Sequence, residues 1–279
     1  MRFGISTHLF HDAPLDRAHL QAVADRGFDC VELFATRTHF DYHDEAAAAR
    51  LGEWLRESGL TLHSVHAPIT DSLVKGVWGA NYSNAAGDGK KRALAIQEAE
   101  QAIRLARIVP YRYLVVHLGV PNDFAAPGDN ERAAARQSIE ALAMTASEHG
   151  VKLALEVIPN ALSTPEALVK LIDQDLELPD LGICMDVGHA HVMSEVADGI
   201  ETVSGHLVTT HIHDNDGRKD SHLLPFEGTI DWPSTLIAFQ KVGYDDVLLF
   251  ELATNTDDSG RVLDRARSVR KRFEEMLVS

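Results

Sequence analysis

Six successive apolar, β-branched runs of this chain close on side chains able to ligate a cation: His66, His117, Glu156, Asp186, His211 and Glu251. Carboxylates buried together are costly unless a cation neutralises them, so groups delivered in phase like this point to a metal site rather than to packing. Two shorter patterns enlarge the set. In Met185-Asp186-Val187-Gly188-His189 an imidazole follows the carboxylate by three residues on a sharp turn, and Asp220-Ser221-His222 pairs the same two groups in a loop. Carboxylate and imidazole donors without thiolate suit Mn²⁺, Zn²⁺, Co²⁺ or Mg²⁺, as one ion or more than one. They argue against iron–sulfur and blue-copper chemistry.

Bringing these groups to one face requires a repeating scaffold, and the hydropathy pattern supplies it. Eight strand-like runs fall at residues 3–7, 30–34, 61–66, 113–117, 152–157, 182–186, 208–213 and 247–252, about 30 residues apart as βα units are. Stretches between them, such as 45–57, 91–108, 131–148, 164–173 and 233–241, carry apolar residues at helical intervals. Gly27, Gly59, Gly150 and Gly243 stand just ahead of strands, where glycine lets a helix turn back, and Thr164-Pro165 opens a helix with a cap and an early proline. With no Gly/Ser-rich linker, eight such units predict an α/β protein, a single (β/α)8 TIM barrel occupying residues 1–279 as one domain. No G-x-G-x-x-G follows the first run, which counts against a dinucleotide-binding open sheet. Loops 67–90 and 118–130 follow strands and so belong to the barrel mouth, beside the ligands.

The 26 Lys and Arg against 42 Asp and Glu give a formal net charge of −16, a field that repels phosphate backbones and anionic lipid. Nucleic acid and membranes are therefore not expected as partners, and a small molecule is. Only Cys30 and Cys184 are present, both in apolar runs, so a disulfide scaffold is excluded and a reducing, cytoplasmic setting is expected. A homo-oligomer is compatible with all of this.

Leu155-Glu156, Met185-Asp186-Val187-Gly188-His189, His211-Ile212-His213-Asp214-Asn215, Asp220-Ser221-His222 and Phe250-Glu251 follow one another in the order of metal motifs in the xylose isomerase-like barrel superfamily. The chain resembles that superfamily over essentially its whole length. Val31-Glu32-Leu33-Phe34 and Glu227-Gly228-Thr229-Ile230-Asp231-Trp232 are most similar to its sugar phosphate isomerase/epimerase branch. The resemblance implies that Glu156, Asp186, His211 and Glu251 form the shared metal tetrad. It also implies that His66, His117, His189, Asp220 and His222 match positions that endonuclease IV adds for further zinc ions. The implied activity is a divalent-metal-dependent sugar isomerase or epimerase, in which Glu156 and Glu251 move a proton beside a carbonyl through a metal-stabilised enediolate. An endonuclease IV-like phosphodiesterase acting on abasic DNA is the alternative, as is a keto-sugar lyase or hydratase on the same scaffold.

Contacts to a carbohydrate are expected from His8, Trp78, His189, His213 and Arg218, with residues 75–84 as a covering loop. The acidic run 254–258 offers a phosphate little, which favours an unphosphorylated sugar. His63 alternates away from His66 and is expected to face the helices, and Glu32 reads as a hydrogen-bonded structural carboxylate. His19 and His149 read as surface or cap residues, and Lys90-Lys91-Arg92 as a solvated face.

Overall fold

A computed structural model of the chain describes residues 1–74, 77–176, 178, 180–254 and 258–278. Eight parallel strands, β1 (Arg2–Ser6), β2 (Cys30–Phe34), β3 (Thr61–His66), β4 (Tyr113–Val116), β5 (Lys152–Glu156), β6 (Leu181–Asp186), β7 (Leu207–His211) and β8 (Val247–Phe250), lie in the order β8-β1-β2-β3-β4-β5-β6-β7. The two ends of that order meet where Ile212 bridges Phe250 and the Ile212 N–H reaches the Leu249 carbonyl at 2.8 Å. The sheet is thereby closed into a (β/α)8 TIM barrel. Strands such as β2 and β8 are buried along their whole length, as parallel strands covered by helices must be.

The cover consists of α1 (Arg17–Ala24), α2 (Glu45–Ser58), α3 (Gly89–Arg104), α4 (Arg132–Glu148), α5 (Pro165–Lys170), α6 (Val187–Met193), α7 (Val196–Thr202), α8 (Trp232–Lys241) and α9 (Ser259–Val278). Side chains of Asp44, Asp88, Thr164 and Asp231 accept free N–H groups at four of their starts. Gly59 closes α2 in the left-handed region at φ 72°, a backbone conformation that costs other residues energy. Phe3, Leu20, Ile103, Leu114, Leu142, Phe239 and Phe273 belong to the core that packs helices onto the sheet. Among the described residues no helix is long and apolar enough to cross a membrane.

Three features depart from the sequence reading. Strands β4 and β8 stop one residue short of His117 and Glu251, which leave from the first position beyond the ladder, and β7 stops at His211, two residues before His213. Loop 67–90 carries a small antiparallel hairpin, Leu73–Val74 with Val77–Trp78. His63 does not face the helices. Pairing between β2 and β3 skips it, running from Val31 with Leu62 to Glu32 with Ser64. The extra residue of this bulge breaks the two-residue alternation. His63 is thus turned to Thr209 of β7, four strands away around the barrel, with Nε2 at 3.0 Å from its hydroxyl.

Candidate metal centre

Glu156, Asp186 and His211 are the last residues of β5, β6 and β7, and Glu251 directly follows β8. Four adjacent strands thus aim four donors at one volume, and one ligand atom from each lies within 4.8 Å of all the others. His211 Nδ1 stands 3.1 Å from Glu156 Oε1, 3.7 Å from Asp186 Oδ2 and 3.5 Å from Glu251 Oε2. The opposite ring nitrogen, Nε2, lies 3.1 Å from Glu32 Oε2. Glu32 also accepts from the hydroxyls of Ser6 and Ser64, in agreement with the structural reading of that residue.

Two further groupings share carboxylates with this tetrad. His66 and His117 place their Nε2 atoms 3.2 and 3.1 Å from the second Glu156 oxygen, Oε2. On the other side, His189, His213, Asp220 and His222 form a cluster. Asp220 Oδ2 lies 3.1 Å from His189 Nε2 and 3.0 Å from His222 Nε2, and His213 Nε2 reaches Asp186 Oδ1 at 3.0 Å. All nine residues expected as ligands are brought together. His213, expected to contact sugar, also stands among the donors of the third grouping, two residues past His211.

The start of α6 builds part of this arrangement directly. Asp186 caps the helix by accepting the His189 N–H at 2.6 Å, so the cap itself fixes where His189 sits. Gly188 must lack a side chain, since a Cβ there would lie 2.0 Å from His213 Cε1. Asp220 and His222 come from a loop tethered by Asp214. The buried Asp214 carboxylate accepts the N–H groups of Asn215, Phe226 and Ile230 and the indole N–H of Trp232. The loop is strained as well, since His222 at φ 44° and Phe226 at φ 75° occupy the left-handed region without being glycine.

Hydrogen bonding leaves this core incomplete. His117 Nε2, Glu156 Oε2, His213 Nδ1 and Asp220 Oδ1 are buried without an aligned partner, although nitrogen and oxygen approach closely. Donors aimed at a common point rather than at one another fit cations, and buried polar atoms without partners otherwise carry a penalty. Burial and neighbouring charge compete at His66, His222, Glu156 and His117. Burial would lower His66, yet the hydrogen bond and charge of Glu156 raise it to about 9. His222 is raised to about 10 by Asp220 against the same desolvation. Burial would raise Glu156, but His117 and His211 hold it well below the carboxylate range. For His117 burial prevails, and its value falls.

Of the expected sugar contacts, His8 lies on a 3₁₀ turn (Thr7–Phe10), with its ring 4.9 Å from that of His222. Trp78 is 44% exposed on the hairpin, edge-on to Phe34 at 6.4 Å. Arg218 is exposed, and its N–H donates to Asp216. Lys75 and Gly76 of the covering loop, and residues 255–257 of the acidic run, lie outside the described residues.

A family model described as xylose isomerase-like TIM barrel matches residues 20–272. The uncharacterized protein MJ1311 of Methanocaldococcus jannaschii is 28% identical over 263 residues, covering 90% of this chain and 83% of its own. Among solved structures, a D-tagatose 3-epimerase-like protein superposes with a TM-score of 0.80 at 24% identity, covering 99% of this chain and 98% of that one. The IOLI protein with a binding zinc atom does so with a TM-score of 0.74 at 17% identity, covering 99% and 98%.

Proposed function

Because this chain belongs to the xylose isomerase-like TIM barrel family, we propose that it is a divalent-metal-dependent epimerase or isomerase of a small carbohydrate. The observation that carries the reading is the tetrad of Glu156, Asp186, His211 and Glu251, buried at the ends of four neighbouring strands. Its likeness in fold to a D-tagatose 3-epimerase-like protein and to a zinc-holding relative supports the substrate class and the metal.

The tetrad would hold the ion, which when bound polarises a substrate carbonyl and offsets charge growing on its oxygen. Glu156 and Glu251 would take a proton from the carbon beside that carbonyl and return one. Return to the opposite face of the same carbon gives an epimer, and return to the adjacent carbon gives an isomer. Burial keeps bulk water from competing for the proton. Trp78 and His8, at the mouth, supply surface for the sugar's C–H face and hydroxyls.

More than one ion is part of this reading. Glu156 and Asp186 each turn a second oxygen away from the tetrad, Glu156 Oε2 to His66 and His117 and Asp186 Oδ1 to His213. His66 and His117 with Glu156, and His189, His213, Asp220 and His222, provide further donor sets. The same three groupings favour the second reading, an endonuclease IV-like phosphodiesterase, which the net charge of −16 opposes.

Metal-stripped protein reloaded with Mn²⁺, Zn²⁺, Co²⁺ or Mg²⁺ and offered a panel of free and phosphorylated ketoses should convert at least one to its epimer or aldose and leave abasic-site DNA uncut. Cleavage of the DNA with no sugar converted would reverse the assignment, and loss of water from a keto-sugar would move it to a lyase.

A further inference from the structure

The imidazoles of the centre are not oriented in one way. His66, His189 and His222 each direct Nδ1 to a backbone carbonyl, those of Ala67, Val157 and Glu251, at 2.9, 3.1 and 3.0 Å. Each therefore presents Nε2 to its cluster. His211 is reversed. It presents Nδ1 to the tetrad, and its Nε2 meets the carboxylate of Glu32 rather than a carbonyl.

Glu32 is 0% exposed and stands on β2, three strands round the barrel from β7 by way of β1 and β8. Its Oε1 accepts from Ser6 Oγ at 3.1 Å and its Oε2 from Ser64 Oγ at 2.8 Å. Two hydroxyl donors and one ring N–H converge on a group that, ionised, can only accept. That convergence fixes the direction of the His211 bond. We propose that Glu32 is a positioning residue for the tetrad: by accepting the Nε2–H of His211 it sets the ring's tautomer and plane and leaves the Nδ1 lone pair for the cation. A carboxylate behind a ligating imidazole also makes the ring a stronger donor, which a neutral backbone carbonyl does less well. The other three rings are fixed by main chain that no substitution removes, whereas the Nε2 of His211 is met by the side chain of Glu32. The inference rests on the reading that the tetrad holds a divalent ion.

The test titrates Co²⁺ alone into the metal-free, full-length protein against a chelating dye while visible absorption is recorded. The tetrad's component is the one that His211→Ala abolishes. Glu32→Gln keeps shape and an acceptor oxygen but removes the charge, and the Ser6 and Ser64 hydroxyls can rotate to accept from its amide. It should weaken that component about 10-fold, and Glu32→Leu, which removes the acceptor, about 100-fold. The absorption of the bound Co²⁺ should shift in both, with the remaining components unchanged. Ser64→Ala, which loosens the oxygen that holds His211, should give a smaller weakening of the same component and decides the matter if the Glu32 variants do not fold. Wild-type affinity and spectrum in Glu32→Gln and Glu32→Leu, or in Ser64→Ala where it decides, would overturn the positioning role and leave the tetrad's metal standing. Absence of any component sensitive to His211→Ala would instead overturn the metal reading itself.

Discussion

The tetrad and the cluster around Asp220 share Asp186 as a neighbour and use the same donor types, yet they are built differently. Glu156, Asp186, His211 and Glu251 leave from the ends of adjacent strands and none is more than 3% exposed. Asp220 and His222 come from a loop, with side chains 28% and 17% exposed, and reach His189 and His213 only because Asp214 gathers four N–H groups beneath them. A ladder of parallel strands holds its ligands as rigidly as the barrel itself. A loop holds them through local tethers and against the strain of His222 and Phe226. Ion retention and proton transfer should therefore depend on the first set, and fine adjustment on the second.

The sharpest way to break that contrast is to remove Glu156, whose two oxygens face the tetrad and the pair of His66 and His117. Glu156→Gln should lower turnover by about 10²–10⁴-fold, as removal of a proton-transferring group does, and should also reduce bound metal in elemental analysis. Full turnover with full metal content would show that the strand-end set is not the working one.

The next largest effect separates the two sets directly. His211→Ala should cost the tightly held ion and nearly all activity. His222→Ala should lower the stoichiometry by at most one ion and change turnover by about 10–100-fold. Equal losses from both variants would mean that the loop-borne donors are as central as the strand-borne ones.

Asp214→Asn probes the tether alone. Its amide cannot accept from all four donors, so unfolding should become easier by about 1–3 kcal/mol. The tetrad's ion should stay bound in the same sample, while occupancy at Asp220 falls. Loss of both ions together would show that the loop and the strand ends are one cooperative unit.

How much of this was legible follows the same division. Strand ends could be read because β-branched runs closing on a carboxylate or imidazole place that group at a barrel mouth, as Glu156, Asp186 and His211 show. The inward turn of His63 could not, because a bulge between β2 and β3 breaks a period that sequence patterns take to be strict. Nothing in Asp220-Ser221-His222 tells that the loop folds back over the site. That depends on Asp214 meeting Phe226, Ile230 and Trp232, contacts between residues well separated in the chain. His213 carried one signal, two residues beyond His211 along the same extended stretch, but position alone does not separate a ligand from a sugar contact.

A separate effect is on the pH dependence of stability. His66 and His222 titrate at about 9 and about 10 in the ion-free fold, above the value near 6.5 of an unfolded chain. A raised folded value stabilises below the unfolded one and is lost as pH climbs through the folded one. Ion-free protein should therefore melt at lower temperature as pH rises from about 6.5 to about 10. Metal-loaded protein, its imidazoles held by ions, should not show that fall. Parallel melting curves for the two forms would place the raised imidazoles outside the metal sites.

The central claim is proton transfer beside a carbonyl at the strand-end tetrad, and solvent exchange reads it most directly. Metal-loaded protein incubated in D₂O with a ketose that it converts should place deuterium on the carbon next to the carbonyl, and metal-stripped protein and Glu156→Gln should not. Conversion with no deuterium incorporated, or exchange unaffected by loss of Glu156, would contradict the account.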